Sequence, residues 1–135
     1  MIQLSGAKKI KLANLFKNNK FSELELEIES ISSFEERSSF LSNLLGIAKL
    51  KKINSSDKDS EEALKLFEDS CKKDPNNIDA LCNFAKLGLK LLKYEYPVQE
   101  LKNFIKKNGY NLRVYEILSR IYFVTGEINE ALFLL

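Results

Sequence analysis

Apolar residues recur at three- and four-residue spacing in one stretch of the chain after another, the mark of amphipathic helices that each bury one stripe. Residues 59–74 carry it most clearly, with Ala63, Leu64, Leu66 and Phe67 followed by Ser70 and Cys71, and Pro75 stopping the helix. At its start Asp59 and Glu62, three residues apart, form a capping pair expected to satisfy free backbone N–H groups. Ser22 and Glu25 form a second expected capping box, within a run where Glu23, Glu25, Glu27 and Glu29 alternate with Leu24, Leu26 and Ile28. That alternation has a strand's period, but the flanking cap argues for helix, with the three apolar residues buried.

The helices fall into a longer period. Glu62 and Ala63 are followed by an aromatic, Phe67, and then by Pro75. About 34 residues further on stand Leu81, Phe84, Ala85 and Tyr94, and one period later Tyr115, Leu118, Tyr122, Gly126, Glu130, Ala131 and Leu135. On these residues the chain resembles the tetratricopeptide repeat (TPR) family, in which two antiparallel helices, A and B, form each repeat. The resemblance implies an all-α fold, a right-handed superhelix (α-solenoid) of antiparallel helix pairs, as a single domain over 1–135. Its repeats would span 5–38, 39–77 with an inserted polar loop at 51–60, 78–111, and an incomplete 112–135. Several residues depart from the family pattern: Pro97 in the alanine slot, Gly109 in the proline slot, and Ser42 and Lys8 where a large apolar residue is usual. Pro97 is tolerated in a first helical turn, so the third B helix is expected to start late.

Composition narrows the chemistry. The 135 residues carry a net charge of +2, no His, no Trp, two Cys and five Gly, which leaves out histidine acid–base catalysis, a zinc cluster and a glycine-rich phosphate cradle. The expectation is a binding module without catalysis, cofactor or metal. Cys71 and Cys82 read as packing residues in a reducing compartment, and Tyr94, Tyr115 and Tyr122 as core. No apolar run reaches signal-peptide or membrane-spanning length, so the expected location is cytoplasmic, with no membrane partner. Near-zero net charge and only three arginines argue against nucleic acid.

In the family, ligands lie along the concave face lined by helix A positions two, five, nine, twelve and thirteen. By this resemblance the slots here include Phe40, Asn43, Ile47, Leu50 and Lys51, then Asp79, Cys82, Lys86, Leu89 and Lys90, then Arg113, Glu116, Arg120, Phe123 and Val124, with Asn83 at position six. Together with the first repeat's slots they hold seven cations and two anions, while the rest of the chain is mildly acidic. Such a face favours an acidic or mixed peptide, held by Arg113, Arg120, Lys86, Lys90 and Lys51 and anchored on Phe40, Ile47 and Phe123, although abundant lysines also fall on any face by number alone. The family's two-carboxylate clamp is missing, because Lys9 is followed by Ala13 and the later slots hold Leu44, Asp79 and Asn83. Two other readings stand beside the peptide scaffold: the docking arm of a larger bacterial enzyme resembling sulfotransferases or glycosyltransferases, and an RNA-binding helical repeat. The chain stops inside a fourth-repeat helix ending Ala131-Leu132-Phe133-Leu134-Leu135, an apolar end expected to be covered by more chain or by a second copy.

Overall fold

The structure, a computed structural model, describes residues 2–127 and 129–131. Seven α-helices run along them: α1 (Gly6–Lys17), α2 (Phe21–Ile31), α3 (Ser39–Lys51), α4 (Asp57–Lys73), α5 (Ile78–Lys90), α6 (Glu95–Asn108) and α7 (Leu112–Val124). No strand occurs among the described residues. The apolar end at Leu132–Leu135 lies outside them. The chain forms two compact units, Met1–Asp74 and Pro75–Leu135, which divide at the turn before α5.

Local chemistry sets where the odd-numbered helices start. Ser5, Ser38, Asn77 and Asn111 each stand at the N-cap, and each side-chain oxygen accepts a hydrogen bond from the backbone N–H three residues on. A cap of this kind satisfies one of the donors a helix start leaves open. Asn111→Ala is therefore expected to cost about 1 kcal/mol in a urea titration followed by helical circular dichroism, and Asn111→Ser little. An Ala variant with an unchanged midpoint would show the cap idle.

The caps of α2 and α4 differ from the sequence reading. α4 starts at Asp57 and is capped by Ser56, whose hydroxyl accepts from Asp59 N–H while the Asp59 carboxylate accepts from Ser56 N–H. The capping box is thus Ser56 with Asp59, and Glu62 is free to reach Lys49 at 3.0 Å. Of the polar stretch 51–60, only residues 52–56 lie between helices. α2 starts at Phe21 without any side-chain cap, so Ser22 and Glu25 do not form a box. Glu25 turns instead into the unit, where it meets two lysines.

Unit 1 is built around Leu12, Leu24, Ile28, Leu41, Leu44, Leu45, Ala48 and Leu66, contributed by all four of its helices. Leu26 is 68% exposed, against the expectation of burial, because two residues along a helix carry it about 200° from the stripe that holds Leu24 and Ile28. Along α3 and α4 small residues permit close approach. A Cβ built on Gly46 would stand 2.5 Å from the Phe67 ring, and Ser42, fully buried in place of a large apolar residue, donates its hydroxyl to Asp69 at 2.7 Å. Ser39 and Ser70 are joined hydroxyl to hydroxyl at 2.8 Å.

Ion pairs tie α2, α3 and α4 together in the same unit. Lys49, only 10% exposed, reaches Glu25 at 3.0 Å, Glu29 at 3.3 Å and Glu62 at 3.0 Å. Lys52 bridges Glu25 and Asp59, each at 3.0 Å. Burial alone would raise the Glu25 carboxyl, but hydrogen bonds from Lys49 and Lys52 outweigh it and hold the group below its ordinary value. Asp59 is held down to about 2 by the Ser56 N–H bond and then by Lys52.

In unit 2, Leu81, Phe84 and Ala85 of α5, Leu101 and Phe104 of α6, and Val114, Leu118 and Ile121 of α7 are buried, as is most of Tyr122. Tyr94 and Tyr115 are half-buried, and Tyr110 stands 69% exposed against Tyr115 at a ring separation of 4.8 Å. α6 starts only at Glu95, which leaves Pro97 in the first turn, where its ring approaches Gly88 closely. Gly109 ends α6 at φ 82°, a left-handed backbone that a side chain resists, so glycine here terminates the helix by conformation where the family uses proline.

Candidate functional site

Unit 2 gathers six of the ten groove residues expected from the sequence onto two neighbouring helices, Asn83, Lys86 and Lys90 on α5 and Arg113, Glu116 and Arg120 on α7. Asn83 is half-buried and the other five are exposed. Between the helices lies a depression of about 110 Å³ lined by Cys82, Lys86, Arg113, Glu116, Ile117 and Arg120. Residues one repeat apart meet here. Arg113 donates to the Asp79 carboxylate at 2.7 Å, both side chains remaining more than half exposed. Further along, Lys86 and Arg120 line the same depression, and among the described residues neither has an ion-pair or hydrogen-bond partner.

Charge on this face is consequently less than a residue count implies. Asp79 offsets Arg113, and Glu116 lies among the remaining cations, so Lys86, Arg113 and Arg120 exceed Asp79 and Glu116 by a single positive charge. Lys90 extends the basic character beyond the depression, and Phe123, 68% exposed, and half-buried Leu89 add apolar surface. Burial pushes the Cys82 thiol up, against the opposing pull of Arg113 and Lys86, which keeps it protonated and a poor nucleophile. Both cysteines are buried thiols.

Unit 1 carries the other four expected residues on α3. Phe40 is 62% exposed, Ile47 is half-buried, and Lys51 is exposed with its ammonium 5.7 Å from the centre of the Phe21 ring. Phe21 in turn meets Phe16 edge to face at 5.9 Å. Asn43 is only 9% exposed and belongs to the wall of the unit, so it offers a ligand little.

One pairing and one member of the unit 2 site are not legible in the sequence. Asp79 is expected as a groove position but not as Arg113's partner, although their opposite charges occupy position two of consecutive repeats. Ile117 sits beside groove position five, and its role as floor of the depression follows only from how α5 and α7 pack.

No protein-family model matches the chain, and no curated protein matches it. Among solved structures it is similar to MamA AMB-1, a TPR-like protein, in two crystal forms. With one the TM-score is 0.68 at 21% identity, over 95% of this chain and 72% of that one. With the other it is 0.70 at 21% identity, over 94% of this chain and 72% of that one. The fold is therefore that of a TPR-like helical repeat. No helix among the described residues is long and apolar enough to cross a membrane.

Proposed function

We propose that this chain is a non-catalytic protein-interaction scaffold that takes an extended acidic segment of a partner along the α5 and α7 face of unit 2. Its repeats are read as 5–38, 39–77, 78–111 and 112–135. The observation that carries the reading is a pair of cations, Lys86 and Arg120, that have no ion-pair or hydrogen-bond partner among the described residues and line one open depression, with exposed apolar Phe123 on the same helix as Arg120. The cations of the depression outnumber its anions and repel one another, and an anionic partner relieves that repulsion while electrostatic attraction speeds encounter. Helical repeats suit the task because neighbouring copies hold side chains at regular intervals on a continuous surface. The TPR-like fold supports a protein partner.

Charge reversal tests the reading. Arg113→Glu/Arg120→Glu is expected to bind a glutamate-rich peptide at least about tenfold more weakly than wild type at low ionic strength, with the difference shrinking as salt screens it. Fluorescence anisotropy with a labelled peptide measures this, and equal affinities at low salt would remove the groove from consideration.

A further inference from the structure

Resting on that acidic-groove reading, we infer that the depression between α5 and α7 is a subsite for one carboxylate, presented by an acidic residue of the bound segment with a large apolar residue one or two positions away. Size makes the first selection. A volume of about 110 Å³ is well below the roughly 300 Å³ at which small-molecule pockets begin. That size suits the end of one side chain.

Charge makes the second. Lys86, Arg113 and Arg120 exceed Asp79 and Glu116 by one positive charge, which a single carboxylate neutralises. A phosphoryl dianion would leave the site negative with Glu116 beside it. The roles of the cations are also separable. Arg113 already donates to Asp79 at 2.7 Å, whereas Lys86 and Arg120 have no partner among the described residues and line the same depression. Arg120 has the planar fork that suits a carboxylate, and Lys86 adds a compact second charge. The buried Cys82 and Ile117 form the apolar floor, where a charge-assisted hydrogen bond is stronger than in open water.

Spacing makes the third. Phe123 follows Arg120 by three residues on α7, a rise of about 4.5 Å at 1.5 Å per residue, and it stands 68% exposed. An extended peptide advances about 3.3 Å per residue, so a residue one or two positions from the acid reaches Phe123. The subsite thus reads an acid and an apolar side chain together.

The test uses the full chain and the probe acetyl-Gly-Ser-Glu-Ser-Phe-Ser-Gly-amide, followed by amide chemical-shift titration. Versions with Gln for Glu, phosphoserine for Glu, Ala for Phe, and Gln for Glu with a free C-terminal carboxylate complete the set. The Glu probe is expected to bind about tenfold more tightly than the Gln probe, and Lys86→Gln or Arg120→Gln to abolish that preference while leaving Gln-probe affinity unchanged. Asp79→Asn should preserve the preference, and Ala for Phe should weaken binding to every one of these proteins. Tighter binding of the phosphoserine probe, restoration of binding by the free C-terminus alone, or equal losses on Glu and Gln probes would each overturn the subsite. If the Glu probe binds wild type and is lost with Arg113→Glu/Arg120→Glu, yet Lys86→Gln and Arg120→Gln leave its preference intact, the subsite fails and the acidic groove stands. If neither the probes nor a glutamate-rich peptide binds wild type, both fail.

Discussion

Lys49→Met is expected to destabilise unit 1 by about 3 kcal/mol, the low end of what removing one partner of a buried ion pair costs. Methionine keeps the stem that packs within the unit and deletes only the charge. The cost arises because Glu25, 11% exposed, loses one of its two lysines and cannot regain water, while Glu29 and Glu62, 46% and 39% exposed, re-solvate. Those half-open partners are the reason for choosing the low end of the range.

Acid should erase the difference. The Glu25 and Asp59 carboxyls are held below their ordinary values of 4.5 and 3.8, Asp59 down to about 2, so their stabilisation is fully present above those ordinary values. It is lost as pH falls through the folded-state values. The Lys49 ammonium is held above its ordinary 10.5, because bonds to Glu25 and Glu62 outweigh the opposing effect of burial, and its contribution therefore persists throughout the neutral and acidic range until its partners protonate. Urea titrations of wild type and Lys49→Met at pH 7 and at successively lower pH should converge as pH falls below 4.5 and the Glu25 carboxyl takes up its proton. A variant as stable as wild type at pH 7 would reduce the network to surface decoration.

Gly46→Ala is the second large effect, about 2 kcal/mol of destabilisation from a single added methyl. The new Cβ would stand 2.5 Å from one carbon of the Phe67 ring and 2.9 Å from the next, and Phe67 is 1% exposed, so the ring has no open space into which to swing. Ordinarily Gly to Ala inside a helix is stabilising by up to about 1 kcal/mol, so the sign itself tests the contact. Phe67→Leu removes the ring and should rescue part of the loss. The double variant is expected to be about 1 kcal/mol more stable than the sum of the single changes. A Gly46→Ala protein more stable than wild type would mean that α3 and α4 do not approach as closely as the Gly46 and Phe67 positions require.

Much of the fold was legible because its determinants are local. The repeat register expected from the sequence, 34 residues long with an insertion in the second copy, would open at Ser5, Ser39, Ile78 and Leu112, and the helices α1, α3, α5 and α7 begin at Gly6, Ser39, Ile78 and Leu112. Apolar periodicity and a Ser or Asn at each of these helix starts act within a few residues of chain, so a linear reading captures them. The late start of α6 follows from Pro97 in the same way. The capping pairs that spacing predicts for α2 and α4 do not form, because Glu25 and Glu62, each a possible local partner, are claimed by Lys49 from another helix. Spacing alone cannot rank a near partner against a far one.

The sequence by itself determined that the chain is helical, where its first-of-pair helices begin, and that cations outnumber anions at the positions a TPR-like groove uses. Only the tertiary structure decided which of those charges remain open. Arg113 is occupied by Asp79, Asn43 lies within the wall of unit 1, and Leu26 faces outward, whereas Lys86 and Arg120 share one depression without a partner among the described residues. The physical reason is range: helix formation depends on neighbours three and four residues away, but the availability of a charge depends on whichever side chain the fold delivers from a full repeat distant.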